Sequence, residues 1–119
     1  MLFRSSRNAA NIRASFIGEG ANGPTTVKAD EILHKNGAFL VPDVVANSGG
    51  VVVSYFEWVQ NLQHFRWPLE QVQREQERRL VDAFREIHDL AQRKGVNLRT
   101  AAFMKAISRV GRAKILGGI

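Results

Sequence analysis

Two short apolar runs lie in the first third of the chain, and each has the pattern of a buried parallel strand. Residues 14–17 stop at Gly18, where a loop begins, and residues 38–41 stop at Pro42, whose missing N–H cannot serve a continuing strand. Between them, residues 25–35 carry apolar side chains at helical spacing. The succession of strand, helix and strand predicts an α/β layered fold.

The helix between the strands has recognisable signals at both ends. Pro24 has the fixed φ that suits a first helical turn, and Asn36-Gly37 is a typical stop. Thr25 and Thr26 can either cap this helix or hold a phosphate, and capping is the favoured interpretation.

The rest of the chain is predicted to be helical. Residues 51–62 are rich in Val, Tyr, Phe and Trp, which suits a strand, but their length and lack of alternation favour a buried helix that begins at Gly49-Gly50. Those adjacent glycines indicate close backbone approach to something packed or bound. Residues 68–94 have the spacing of a long amphipathic helix closed by Gly95, and Asn97 is a good N-cap for a last helix. The predicted i,i+4 ion pairs of the long helix are Glu70 with Arg74, Glu75 with Arg79, and Asp89 with Arg93.

Composition narrows the class of protein. The chain has 119 residues, of which 45% are hydrophobic and 24% charged, as in an ordinary single domain. It has no cysteine, which excludes disulfides and thiolate metal sites. No apolar run reaches the roughly 18 residues of a membrane span. We therefore expect a cytoplasmic protein without a membrane segment.

Positive charge is concentrated in the second half. Of the net charge of +6, residues 1–65 contribute nothing, with five basic and five acidic residues, whereas residues 66–119 have twelve basic and six acidic residues. Such asymmetry can mark a nucleic-acid surface. Arginine-rich helices are more often solvated faces with internal ion pairs, so nucleic-acid binding is the less favoured interpretation.

The pattern Gly18-x-Gly20-x-x-Gly23 has the form of a dinucleotide-binding fingerprint. It follows a predicted strand, precedes a predicted helix, and has Asp43 at the end of the next strand, twenty residues beyond Gly23. In that interpretation the helix N-terminus faces a pyrophosphate and Asp43 accepts from a ribose hydroxyl. The alternative is a glycine-rich turn that matches by chance.

The sequence gives little support for a metal site or for a serine nucleophile. The three histidines are too far apart to form a helical ligand pair, so no metal site is predicted. Ser54 lacks the G-x-S-x-G context of an acyl-transfer nucleophile, and a hydrogen-bonding role is favoured.

Several long strings, in order, closely resemble the C-terminal part of glutamate dehydrogenase. The resemblance runs from about Arg13 to Leu116, so residues 1–12 form a non-matching segment and residues 13–119 the matching domain. It implies the C-terminal portion of a doubly wound Rossmann-like NAD(P)-binding domain, followed by long amphipathic helices. The strings are Glu-Gly-Ala-Asn-Gly-Pro-Thr-Thr at 19–26, Val-Pro-Asp at 41–43, Ala-Asn-Ser-Gly-Gly-Val at 46–51, and Ser-Tyr-Phe-Glu-Trp-Val-Gln-Asn at 54–61.

The resemblance assigns roles to four residues. Asn22 and Asn47 correspond to positions beside the nicotinamide half of a bound NAD or NADP. Val51 and Ser54 correspond to positions that line the glutamate pocket, with the serine hydroxyl reaching the side-chain carboxylate of the substrate. The family's pyrophosphate fingerprint lies upstream of this segment. The resemblance therefore implies that the glycine pattern is a chance match and that Asp43 is not a ribose-binding residue.

The resemblance also implies what this chain lacks. The family's catalytic lysine and aspartate precede Arg13, so no catalytic residue is predicted here, and we expect an isolated chain to be inactive. The complete oxidoreductase would include the remainder of the subunit, form a homo-oligomer, usually a hexamer, and convert L-glutamate to 2-oxoglutarate and ammonia. Because half a parallel sheet leaves an open edge, the isolated chain is expected to be marginally stable or to self-associate.

The alternative function belongs to a different class. The basic helix that starts at Asn97 could make this chain a non-catalytic helical binding module for nucleic acid or an acidic partner. Strong salt dependence of nucleic-acid binding would favour this alternative.

Overall fold

The computed structural model describes residues 5–118, and in that range two short strands and five α-helices follow one another. The strands pair in parallel, which confirms the predicted α/β character. The elements are β1 (Phe16–Gly18), α1 (Val27–Lys35), β2 (Phe39–Val41), α2 (Asp43–Ala46), α3 (Gly49–Gln63), α4 (Leu69–Lys94) and α5 (Leu98–Leu116), preceded by a 3-10 helix at Ala9–Asn11.

A small core forms on one face of the two-stranded sheet. Ile17 of β1 lies opposite Leu40 of β2, and both pack against α1 because successive strand residues point to opposite faces. On the other face the rings of Phe16 and Phe39 stack, with centroids 5.8 Å apart. The buried members of this core are Ala9, Ile17, Ala29, Leu33 and Leu40.

Ala9 comes from the segment predicted not to match the family, and residues 1–4 of that segment lie outside the described residues. A domain boundary between residues 12 and 13 stays a prediction.

Helix α1 starts later than the sequence predicts. The Thr26 side chain accepts a hydrogen bond from the Ala29 N–H at 3.3 Å, so Thr26 is the N-cap and the first helical residue is Val27. The prediction that Pro24 lies in the first turn is therefore wrong, and the preference for capping is confirmed for Thr26 but not for Thr25, whose buried hydroxyl has no hydrogen-bond partner in the described residues. The short helix α2, which directly follows Pro42, was not predicted.

Helices α4 and α5 form a second core at the turn between them. Gly95 ends α4 with a φ of 63°, and the Asn97 side chain accepts from the Thr100 N–H at 2.8 Å, so both predicted signals are confirmed. The first turns of α5 pack on the last turns of α4. The buried residues there are Ile87, Ala91, Leu98, Ala101 and Ala102.

The predicted ion pairs of α4 are replaced by others in the described part of the chain. Arg78, rather than Arg79, pairs with Glu75, at 2.8 Å, and also lies 3.8 Å from Asp82. The Arg79 guanidinium instead lies 5.3 Å from the centre of the Phe56 ring. Arg79 therefore interacts with the aromatic face of α3 instead of with Glu75.

The prediction that α3 is a buried helix is wrong. Phe56 is its buried residue, packed on the Trp67 ring, whereas Val51 is 75% exposed and Trp58 lies largely in solvent. Helix α3 packs on α4 along one side only. Its other side remains open in the described residues.

The chain is more extended than a compact domain of its length. Its radius of gyration is 17.0 Å, against about 13.5 Å for a compact chain of this size. The reason is that α3, α4 and α5 project from a sheet of only two strands. None of the helices in residues 5–118 has the length and apolar character needed to cross a membrane.

Candidate functional site

The loops that follow the two parallel strands meet at one edge of the sheet. Asn22 lies in the loop after β1, and Asn47 follows α2, which itself follows β2. The Asn47 side-chain amide donates to the Asn22 side-chain oxygen at 2.6 Å and to the Gly20 carbonyl at 3.3 Å. Residues 25 positions apart, both identified from sequence, are therefore in direct contact.

Val51 and Ser54 lie on α3, three residues apart and thus on one face of the helix. Both side chains are exposed. Helix α3 begins at Gly49, two residues after Asn47, so Val51 and Ser54 follow the asparagine pair closely along the chain. The exposure of Ser54 argues against a serine that merely satisfies a buried helix. Its contact with substrate stays a prediction.

The two adjacent glycines at the start of α3 differ in their surroundings. A Cβ atom on Gly49 would lie 2.8 Å from the Gln76 side-chain nitrogen, which donates to the Gly49 carbonyl at 3.3 Å. A Cβ atom on Gly50 would meet no heavy atom within 4 Å in the described part of the chain. The first glycine therefore lies against the flexible end of a side chain of α4, which can shift aside, and the second faces open space in the described residues.

Beneath the asparagine pair lies a cluster of charges that the sequence analysis missed. Arg99, from the first turn of α5, donates from Nη2 to both carboxylate oxygens of Glu19 at 2.8 Å and from Nη1 to Asp43 at 3.2 Å. Its Nε lies 3.3 Å from a carboxylate oxygen of Asp30. Glu19 is 1% exposed and Asp30 6% exposed, so the carboxylates depend on this guanidinium for compensation.

Further hydrogen bonds complete the cluster. The Asp43 carboxylate accepts from the backbone N–H groups of Gly23 at 2.8 Å and Val44 at 2.9 Å, and the Asp43 N–H donates to Glu19 at 2.9 Å. Burial alone would raise the pKa of Asp43, but these backbone hydrogen bonds and the Arg99 charge outweigh it and lower that pKa.

The same environment acts on the arginine. Burial alone would lower the pKa of Arg99, but the hydrogen bond that Arg99 donates to Glu19 and the charges of Asp30 and Glu19 outweigh it and raise that pKa. Arg99 is thus a permanent cation at the centre of three carboxylates. We refer below to Arg99, Glu19, Asp30 and Asp43 as the Arg99 cluster.

The geometry gives the glycine pattern after β1 a local role. Gly23 has a φ of 57°, which glycine adopts readily, and this turn directs the Gly23 N–H at Asp43. The Asp43 carboxylate is engaged inside the chain by Gly23, Val44 and Arg99. These contacts explain Gly23 and Asp43 by interactions within the chain.

A signal for the Arg99 cluster does exist in the sequence. Glu19 is an acidic residue placed directly after a buried strand, and Arg99 comes two residues after an N-cap, beside apolar residues that pack inward. Neither position suits an unpaired charge. The partner of each charge lies 80 residues away, however, and no local pattern identifies it.

Some of the basic residues of α5 form ion pairs within the chain. Arg99 is held in its cluster, and Lys105 lies 2.9 Å from Glu86 of α4. Two of the five basic residues of α5 are thereby paired within the chain, which weakens the case for a nucleic-acid surface. In residues 5–118 no group of three or more His, Asp or Glu side chains is arranged to hold a metal ion.

Comparison with known proteins identifies the family. The Glutamate/Leucine/Phenylalanine/Valine dehydrogenase family matches residues 5–118. Glutamate dehydrogenase from Thermotoga maritima is 50% identical over 112 residues, which cover 94% of this chain and 27% of that protein. The chain thus spans about a quarter of the length of that curated relative.

Solved structures agree with this result. Glutamate dehydrogenase from Peptoniphilus asaccharolyticus superposes with a TM-score of 0.90 at 38% identity, over 98% of this chain and 29% of that one. A leucine-bound hetero-hexameric glutamate dehydrogenase from Thermus thermophilus gives 0.91 at 32% identity, over 98% and 29%. Because the family match extends over residues 5–118, which is nearly the whole chain, the chain belongs to the glutamate/leucine/phenylalanine/valine dehydrogenase family.

Proposed function

We propose that this chain forms the nicotinamide side of the active site in an NAD- or NADP-dependent glutamate dehydrogenase. The observation that carries the proposal is the Asn22–Asn47 hydrogen bond at the carboxyl ends of two parallel strands. In open α/β sheets, ligands bind at that end of the strands. The complete enzyme would oxidise L-glutamate to 2-oxoglutarate, with release of ammonia.

The chemistry of the two asparagines suits a nicotinamide carboxamide. A primary amide has both an N–H donor and a carbonyl acceptor, and so has each asparagine side chain. The bond between them uses one N–H of Asn47 and the oxygen of Asn22. The Asn22 N–H groups and the Asn47 oxygen are not used in that bond and can pair with the carboxamide. When bound, the nicotinamide ring supplies the hydride acceptor.

Substrate contacts in this proposal come from the exposed face of α3. Ser54 donates a hydrogen bond to the side-chain carboxylate of glutamate, and Val51 provides an apolar wall beside it. Both residues lie on one face of a helix that starts two residues after Asn47. In this proposal the substrate and cofactor contacts come from adjoining stretches of chain, which suits hydride transfer between the two molecules.

The remainder of the subunit would complete the fold as well as the chemistry. We propose that the sheet continues into a doubly wound Rossmann-like domain and that the complete subunits assemble as a hexamer. Exposed apolar residues of α3 and α5 and the open edge of the two-stranded sheet would then be covered. The catalytic lysine and aspartate implied by the family resemblance would come from that remainder.

The proposal is tested with a chimeric enzyme in which this chain replaces the matching segment of the Thermotoga maritima glutamate dehydrogenase. We expect the chimera to oxidise glutamate. In the chimera, Asn47→Ala should weaken NADH or NADPH binding about tenfold, the effect of losing about 1.4 kcal/mol of hydrogen bonding. Fluorescence titration of the reduced cofactor measures this directly.

Asn61→Ala is the matched control, because Asn61 is an exposed asparagine of α3, about 20 Å along the helix axis from its start. Its cofactor binding should equal that of the parent. A folded chimera without activity, or equal cofactor affinity in Asn47→Ala and Asn61→Ala, would refute the proposal.

The isolated chain should form no NADH or NADPH from glutamate, because the groups that act as acid and base would be missing. Measurable glutamate-dependent reduction by the purified chain would contradict this expectation.

A further inference from the structure

The asparagine pair sits on two loops that the chain itself must hold at a fixed spacing. Asn22 belongs to the loop after β1, and Asn47 to the segment after β2 and α2. Each asparagine also has a carboxylate nearby in the chain, Glu19 in the loop after β1 and Asp43 at the first position of α2. Contacts that hold these two carboxylates together therefore also connect the two stretches of chain that contain the asparagines.

Arg99 joins the two carboxylates. Its Nη2 donates to Glu19 and its Nη1 to Asp43, so two arms of one planar group reach both loops. Two further bonds cross between the loops, from the Gly23 N–H to Asp43 and from the Asp43 N–H to Glu19. Gly23 is the neighbour of Asn22 in the chain. A shift of the guanidinium is thus transmitted through one carboxylate to the backbone beside Asn22.

The chemistry of arginine is specific to this task. Its rigid fork can direct separate N–H donors at three carboxylates, which a lysine ammonium on a flexible stem cannot do with fixed geometry. The third arm is anchored as well, because Asp30 also accepts from the Asn97 side chain at 3.1 Å. Since Asn97 caps α5, Asp30 links the start of that helix to Arg99 and hence to the loops.

We propose that Arg99 is a positioning residue, which sets the geometry of the Asn22–Asn47 pair through Glu19 and Asp43. The inference rests on the proposed function, in which this pair orients the nicotinamide. Arg99 itself contacts neither cofactor nor substrate in this proposal.

A double-mutant cycle in the chimeric enzyme tests the proposal. Arg99→Lys keeps the charge but loses the fork, and we expect kcat to fall about tenfold, because a displacement of roughly 1 Å at a reacting centre can cost up to a hundredfold. If Arg99 acts through the pair, adding Arg99→Lys to Asn22→Ala should produce little further loss. Lys105→Gln removes the other described ion pair between α5 and an earlier element and should leave kcat unchanged.

A cofactor-free measurement complements the kinetics. In the isolated chain labelled with ¹⁵N-asparagine, Arg99→Lys should shift the side-chain amide signals of Asn22 and Asn47, and Asn61 should keep its signal. Asp43→Asn is the second variant, since it weakens the link to Arg99 while keeping an acceptor for the Gly23 N–H. It should shift the same two signals to a smaller extent.

The outcomes separate the two proposals. If Asn22→Ala lowers activity but Arg99→Lys lowers it by the same factor in both backgrounds, Arg99 acts independently of the pair and the inference is wrong. The inference also fails if the signals of Asn61 move as much as those of the pair, because that result indicates general loosening. If neither Asn22→Ala nor Asn47→Ala affects cofactor binding, the proposed function itself fails.

Discussion

Two adjoining regions of this chain differ in how completely their charged groups are paired and their apolar side chains are covered. In the Arg99 cluster, buried carboxylates, a guanidinium and backbone N–H groups are matched within the described residues. The exposed face of α3 and the second half of α5 are the opposite, with apolar side chains that the described residues leave uncovered. The closed region joins the loops that follow the two strands, whereas the open region leaves apolar surface uncovered within the described residues.

Helix α5 contains both kinds of environment. Its first turns contribute Leu98, Ala101 and Ala102 to a core, whereas Ile107 and Val110 are exposed. The apolar positions of this helix therefore continue past the part of it that the described residues cover. Periodicity reveals which face is apolar, but it does not reveal how far the opposing surface extends.

The largest effect is expected from Arg99→Met. Removing the cation leaves Glu19 and Asp30 buried without their main partner, so the isolated chain should lose about 3 to 5 kcal/mol of unfolding free energy. Urea unfolding followed by circular dichroism measures the loss. Lys105→Met is the control, because its ion pair with Glu86 lies at the surface and should matter little. Equal losses in the two variants would show that the Arg99 cluster is not a distinct stabilising centre.

A second pair of variants tests the contrast within α5. Leu98 is 7% exposed, and Leu98→Ala should cost about 2 to 5 kcal/mol through lost burial and a residual cavity. Ile107 is 68% exposed, and Ile107→Ala should change the stability of the isolated chain by about 0.5 kcal/mol or less. A large cost for Ile107→Ala would mean that the second half of α5 is covered, for instance by self-association, which sedimentation would detect.

Ser54→Ala tests the open face of α3 in the chimeric enzyme. A hydrogen bond to a charged group contributes about 1.5 to 3 kcal/mol, so kcat/KM for glutamate should fall about ten- to a hundredfold. Because Ser54 is exposed, the melting temperature should scarcely change, and cofactor affinity should stay the same. Unchanged kinetics with a lower melting temperature would instead assign Ser54 to helix packing.

The smallest expected effect is the acid sensitivity of the closed region. The pKa of Asp43 is lowered from its ordinary value of 3.8, so its ionised form stabilises the folded chain above that pH. This contribution should be lost as the pH falls through the lower pKa of the folded state. Asp43→Asn should therefore flatten the decline of unfolding free energy below about pH 4. Superimposable acid profiles for the two proteins would contradict the assignment.

Particular residues show how far sequence reasoning reached. The N-caps Thr26 and Asn97, the stop at Gly95 and the parallel strands were predictable because their signals lie within a few residues. The resemblance to a known family identified Asn22 and Asn47, but their mutual contact required the folded loops. The role of Arg99 was not predicted, because it depends on charged partners that are distant in the sequence.

The amino-acid sequence by itself determined the types of the two strands and the four longer helices, and it indicated the family, because both depend on local patterns and on ordered strings of residues. Only the tertiary structure decided which apolar faces are covered and which charges are paired. The physical reason is that burial and ion pairing are properties of two surfaces brought together, and each sequence pattern describes only one of them. Glu19 and Arg99, 80 residues apart and 2.8 Å from each other, show this directly.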